Sequence, residues 1–366
     1  MGGEMDINVK PDGNAIVYCE GAFNTPYGKT AHGLVRYTAR YNVICVVDSK
    51  FAGKDSGVVL DEKVNNIPVV ASLTEALEYS RMQNIEPTHF VIGIASDGGS
   101  FDETMLSAVK DAIRARLNVD SGLHEFLSEI PEMIKLAKEN TITLRDVRKT
   151  AIYTKHFFSG NIEKVKSFKI AVLGTDSAVG KRTTAQLLVK GFNDIGVSAV
   201  MVGTGQTAWM QGAKYFSVMD STINDFVAGG IENAVYRAWK DLKPDVIVIE
   251  GQGSMMNPAY PGGFEILAAG RPDVIIVQHA PARKEYDGFP GYPLHPLKKQ
   301  IKVIEMLSAK KVVAVTINHE CLSKKKLAKK IAKIQKKTGL FTTDVLLSGT
   351  SELIEVLKGY YEDNKD

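Results

Sequence analysis

A chain of 366 residues, 44% hydrophobic and 24% charged, is long enough for two domains, each with its own core. A formal net charge of +3 is too small to point to nucleic acid or to a membrane surface, and neither partner is expected. Cys19, Cys45 and Cys321 lie far apart with no CxxC pair, which predicts reduced thiols and a cytoplasmic location rather than a disulfide framework. The polar start MGGEMDINVKPDGN lacks the basic and apolar regions of a secretory signal. No apolar run approaches the ~20 residues that a membrane helix needs.

Short apolar runs alternate with segments of helical period, the pattern of a parallel α/β protein. In the first part, strands are predicted at Ala15–Tyr18, Val43–Val47, Val69–Val70 and Phe90–Ile94. Helices are predicted near Thr30–Tyr41, Leu73–Met82, Thr104–Leu117 and Ile130–Lys138. The polar passage Lys149–Lys166 sets the expected boundary between a first parallel α/β domain over residues 1–155 and a second over 156–366. In the second domain, strands are expected at Phe168–Leu173, Ala199–Val202, Val246–Ile249, Val274–Val277, Val312–Thr316 and Val345–Leu347. The segments between them are long enough for parallel crossovers.

The run FKIAVLGTDSAVGKRTT over 168–184 carries the strongest chemical signal: an apolar strand, a glycine-bounded turn, Gly-Lys, then helix formers. In such a phosphate loop, consecutive backbone N–H groups converge on an anion and the helix that follows adds its positive end. The candidate loop comprises Gly174, Thr175, Asp176, Ser177, Ala178, Val179, Gly180, Lys181, Arg182, Thr183 and Thr184. Gly180 lets the backbone approach the phosphates, and Lys181 supplies a mobile positive charge. The Mg²⁺-binding hydroxyl usually found directly after the lysine is replaced by Arg182. A pyrophosphate that is held rather than cleaved, as in coenzyme A, suits such a loop, whereas Mg²⁺-dependent ATP hydrolysis suits it less. The GTDS-x-VGK spelling resembles the loop of dethiobiotin synthetases. Asp176 stands where partition-type ATPases carry their signature lysine, which argues against a switch ATPase.

Glu250, in EGQGS at a strand's carboxyl end, is placed for a general base or a metal-water ligand; its bland alternative is a solvated turn residue. His279 and Arg283, at the end of the next strand, face the same crevice. Arg283 either clamps a substrate carboxylate with paired bonds or is incidental to a Pro-rich loop. Gly203–Thr207 closes the second strand of this half. Asp225 and Glu232 share a helix face, more simply as capping acids than as a metal site. In the first half, Gly28-Lys29-Thr30 looks like a second phosphate loop, but Gly21 stands two residues too far away and Pro26 interrupts. Asp48 ends a strand where Rossmann domains bind ribose, yet no GxGxxG precedes it. His124 reads as a structural histidine, and lysine-dense 324–337 as a solvated amphipathic helix.

Eight segments in chain order resemble one known two-domain family, with a Rossmann-like N-terminal and a P-loop C-terminal domain. They are GIA-SDGG (93–99), GLHEFL (122–127), DVR (146–148), GTDSAVGKRTT (174–184), TGQT (204–207), DF-VAGG-IE (225–232), EGQGS (250–254) and HAPAR (279–283). The family was long uncharacterised, and some members are assigned as D-glutamate N-acetyltransferases. The resemblance implies acetyl-CoA as donor and an amino-acid carboxylate as acceptor, with Glu250 or His279 as base. Family members have a histidine shortly after EGQGS, where this chain has Asn257. Two alternatives stay open: an ATP- and Mg²⁺-dependent ligase or kinase like dethiobiotin synthetase, and a non-enzymatic nucleotide sensor. A homo-oligomer acting on a small-molecule amino acid is expected, and the sequence leaves any metal requirement undetermined.

Overall fold

The computed structural model describes residues 11–149 and 155–363. They divide into two compact units, the first made of 11–149 with Gln206–Gly212 and the second of the remainder. Among the described residues no helix is long and apolar enough to cross a membrane.

The first unit holds strands β1 (Gly13–Tyr18), β2 (Tyr41–Val47), β3 (Val69–Val70), β4 (His89–Ile92), β5 (Asn118–Ser121) and β6 (Leu144–Asp146). They pair in parallel in the order β3-β2-β1-β4-β5-β6, the Rossmann arrangement. Ile16 and Val17 of β1 and Phe90, Val91 and Ile92 of β4 are fully buried, as expected for central parallel strands covered on both faces. Three- and four-residue β6 and β5 escaped the sequence reading because so few residues carry no visible period.

The helix expected over Thr30–Tyr41 spans only Lys29–Arg36, and Tyr41 already belongs to β2. Segment 206–212 supplies the reason. Gln211 donates through Nε2 to the carbonyls of Gly33 (2.7 Å) and Tyr37 (2.8 Å), and its own carbonyl accepts from Ala39 N (3.0 Å). Tyr37 is thereby held extended, at φ −166° and ψ 131°. Propensity alone carried the helix on; contacts made 174 and 178 residues downstream in sequence stop it.

Two candidate features of this unit are committed to its own structure. The carboxylate of fully buried Asp48 accepts Phe23 N and Lys50 N, each at 3.0 Å, so it fixes the loops after β1 and β2. The Thr30 hydroxyl bonds the Thr207 hydroxyl at 3.0 Å inside the unit.

The second unit holds β7 (Phe168–Gly174), β8 (Ala199–Gly203), β9 (Tyr215–Phe216), β10 (Val246–Glu250), β11 (Val274–His279), β12 (Val312–Ile317) and β13 (Phe341–Thr343). Their order is β13-β12-β11-β7-β10-β8-β9, again all parallel. The succession of strands runs outward on both sides of central β7, to β10-β8-β9 and to β11-β12-β13, which places a crevice at its carboxyl end. All seven β7 residues are buried, including Lys169, whose ammonium meets Asp273 at 3.0 Å.

The strand expected at Val345–Leu347 is instead a short helix, Val345–Ser348, and the edge strand lies just before it. Asp344 caps that helix by accepting the N–H groups of Leu346 and Leu347 through its side chain. Leu346 and Leu347 are exposed, so their apolar character did not signal a buried strand. The lysine-rich run is a helix, Lys324–Thr338, that buries only Leu327. Helix Asn224–Leu242 carries both Asp225 and Glu232. Glu232 accepts Ser159 N (2.6 Å) and Ile162 N (3.1 Å), anchoring the segment that leads into β7.

Candidate functional site: a phosphate loop at the end of the central strand

β7 runs into the loop 174–180, and helix Lys181–Asp194 starts immediately after it. Gly180 has φ 102° and ψ 17°, a conformation that side chains other than glycine's rarely tolerate. Its carbonyl accepts the Thr184 amide at 3.0 Å, which begins the helical hydrogen bonding. The Lys181 side chain turns back over the loop: Nζ donates to the carbonyls of Asp176 (2.7 Å) and Gly253 (2.8 Å). Room for its stem depends on Gly251, where a Cβ would lie 3.0 Å from Lys181 Cδ and 2.3 Å from the Val172 carbonyl oxygen. Lys181 is only 7% exposed, so its charge is concentrated at the loop rather than dispersed in water.

Asp176, fully buried, organises the loop. Its Oδ1 accepts Ser177 N (2.7 Å) and Asn257 Nδ2 (3.0 Å), and its Oδ2 accepts Arg283 Nη1 and Asp287 N, both at 2.9 Å. Three chain segments, after β7, β10 and β11, therefore meet on one carboxylate. Asn257 completes the tie by accepting Ala259 N and Tyr260 N at 2.9 and 2.8 Å.

The structure brings Glu250, His279 and Arg283 to the carboxyl ends of β10 and β11, flanking the loop after β7. Glu250 is 5% exposed and accepts Thr204 N at 2.9 Å. Burial raises its pKa above the ordinary carboxylate range, against the opposing pull of Arg182, the Thr204 amide and Lys181. His279 Nδ1 lies 2.9 Å from the Thr175 hydroxyl. Burial, helped by Lys330 and Arg283, lowers its pKa to about 4, so the ring is neutral near pH 7. Arg283 bonds Asp176, the Ser177 carbonyl (2.7 Å) and Glu320. Burial opposes its charge, but Glu320, Asp287 and Asp176 outweigh that cost and raise its pKa. These bonds make Arg283 a brace of the loop as it stands.

Thr184, counted in the loop from sequence, donates its hydroxyl to Gln278 Oε1 at 2.6 Å, and the same oxygen accepts from Thr316. That contact ties the helix to β11 and β12. Arg182 Nη1 lies 3.9 Å from Glu250 Oε1. The hydroxyls of Thr204 and Ser254, after β8 and β10, are buried and make no hydrogen bond within the described residues. Gln278 and Asp287 stand beside His279 and Arg283 in the strand-end segment that the sequence singles out, whereas Glu320 was missed as a partner of the loop. Its one available signal was an acid just past the apolar run 312–317.

Comparison with known proteins agrees with this architecture. Residues 156–354 match the family described as "Domain of unknown function (DUF1611_C) P-loop domain", and residues 49–150 match its Rossmann-like N-terminal partner. The chain belongs to the DUF1611 family. A crystal structure of a DUF1611 family protein from Anabaena variabilis superposes with a TM-score of 0.85 at 26% identity, covering 94% of this chain and 99% of that one. Two curated proteins, from Tritonibacter scottomollicae and a Pseudoalteromonas species, carry the name D-glutamate N-acetyltransferase. Each is 26% identical to this chain, over 273 and 277 residues, covering 73% and 72% of it and 80% of each relative. For this DUF1611 chain the matches establish the two-domain family and its P-loop domain, and they leave the chemistry to be argued from the site.

Proposed function

We propose that this protein transfers an acetyl group from acetyl-CoA to the amine of an amino acid bearing a second carboxylate, D-glutamate being the leading acceptor. The observation that carries the reading is the phosphate loop itself: a buried lysine folded back over the loop between the central strand and a helix N-terminus, with an arginine in place of the metal-binding hydroxyl. Such a site favours a pyrophosphate that is held through the reaction over a triphosphate that is cleaved. The names of the two curated relatives support the acyl-transfer chemistry.

In this reading, the loop amides and Lys181 hold the pyrophosphate of the donor. Glu250, whose burial favours proton uptake, takes the proton as the acceptor amine attacks the thioester carbonyl. The carbon–sulfur bond breaks, the departing thiolate of coenzyme A takes that proton back from Glu250, and an amide forms. His279 is neutral and bonded to Thr175, so it orients the loop and is the alternative base. Acyl transfer needs no ATP. The test is direct: purified protein with acetyl-CoA and D-glutamate should release free thiol, and Glu250→Gln should abolish release even with acetyl-CoA at saturation. Binding of acetyl-CoA without thiol release from D-glutamate or any other amino acid would refute it.

A further inference from the structure

Phosphate loops that use Mg²⁺ hold the ion between two protein groups: the hydroxyl directly after the loop lysine, and an acid at the end of a strand in the same sheet. In this fold the first place belongs to Arg182, and the second to Glu250 at the end of β10, which pairs directly with β7. The two side chains face one another, Arg182 Nη1 at 3.9 Å from Glu250 Oε1. Both are withdrawn from water, with side chains 19% and 7% exposed.

This donor set does not fit the magnesium that the fold otherwise implies. A guanidinium offers five N–H donors and no lone pair for a metal, and its own positive charge repels one. The acid that would complete the metal's shell already has the arginine for a neighbour, and its second oxygen is taken by Thr204 N. A fixed cation thus occupies the electrostatic role of a mobile one. Its charge is also different: one unit rather than two, delivered through planar donors suited to paired bonds with phosphate oxygens. Lys181 and Arg182 carry two positive charges, offset in part by Glu250, which suits the two negative charges of a pyrophosphate diester better than the larger charge of a nucleoside triphosphate.

We infer that Arg182 is the resident counter-cation of this loop, which therefore binds a pyrophosphate diester without divalent metal. The inference rests on the loop being a phosphate site and does not require acetyl transfer. Glu250 holds the guanidinium in place between ligand-binding events, and burial makes its carboxylate form costly unless that cation is beside it.

Calorimetric titration of coenzyme A and of ADP into the full chain, in EDTA and in excess MgCl₂, tests this. Coenzyme A should bind the wild type equally well in both buffers. Arg182→Ser should weaken coenzyme A binding in EDTA by about tenfold, equivalent to about 1.4 kcal/mol, and MgCl₂ should recover part of the loss. Arg182→Lys, which keeps a charge and guards against misfolding of the serine variant, should retain binding in EDTA. Wild-type binding that appears only with MgCl₂, or an Arg182→Ser variant that binds as tightly as wild type in EDTA, overturns the inference. If wild type and Lys181→Ala both bind neither ligand in either buffer, the phosphate-loop reading itself falls and takes the inference with it.

Discussion

Arg283 Nη1 lies 2.9 Å from Oδ2 of Asp176, a carboxylate with no exposure to solvent. The pair joins the loop after β11 to the phosphate loop after β7, and Glu320 holds the other side of the guanidinium. Removing Asp176 leaves Arg283 its bonds to Glu320 but strips Ser177 N, Asn257 Nδ2 and Asp287 N of their acceptor, and each buried donor left unpaired costs about 1–3 kcal/mol. Asp176→Ala should therefore lower the urea midpoint markedly, with the denaturant slope unchanged. An Arg283→Lys variant with wild-type stability but a raised KM for the amino acid would instead make Arg283 a substrate clamp.

Lys181→Ala should separate binding from folding. The ammonium donates to two carbonyls, and Glu250, which also feels its charge, keeps Arg182 and the Thr204 amide beside it when the lysine is lost. A ligand at ~100 times its Kd stabilises a protein by about 2.7 kcal/mol. Acetyl-CoA should thus raise the melting midpoint of the wild type clearly and that of the variant hardly at all. An equal shift in both proteins would remove Lys181 from the site.

Acid should weaken the fold through His279. Its folded pKa of about 4 lies below the ordinary value of 6.5, so the unfolded chain binds the proton more readily. Stability from this group is complete above pH 6.5 and declines as pH falls towards about 4. The shift corresponds to at most about 3 kcal/mol. His279→Gln should flatten the pH dependence of chemical denaturation in that window; an unchanged profile would assign the acid sensitivity elsewhere.

Glu250 has the opposite sign. Its pKa is raised, so the fold is favoured by its protonated form, and this contribution is lost as pH climbs through the folded pKa. If Glu250 is the base, kcat should fall on the acid side at a pH above that of an ordinary glutamate. Glu250→Gln should erase that limb together with the activity.

Trp209 should matter to the first unit although it lies in the sequence between β8 and β9. Arg40 stacks over its ring at 3.8 Å and donates through Nε to its carbonyl at 2.7 Å, and Arg145 sits 5.1 Å from the ring. Trp209→Ala should destabilise that unit by about 1–2 kcal/mol or more through lost cation–π contact and packing. Hydrogen exchange in the helix Lys29–Arg36 and the following turn would report it, since Gln211 of the same segment holds that turn.

The phosphate loop was legible because its chemistry is local: strand, glycine, lysine and helix succeed one another within 17 residues, and neighbours in sequence are neighbours in space. The long strands β2, β7, β10, β11 and β12 were legible for the same reason, each carrying an unbroken apolar run of at least four residues. Tertiary structure alone decided what the polar residues do once strands 104 residues apart, such as β7 and β11, lie side by side. It assigned Arg283 to Asp176 and Glu320, Thr184 to Gln278, and Arg182 to Glu250. It also took Gln206–Gly212 out of the surrounding unit and used it to end a helix at Arg36. Hydrophobic pattern repeats along the chain and can be read there, whereas a hydrogen bond or ion pair exists only when folding brings its two partners within about 3–4 Å.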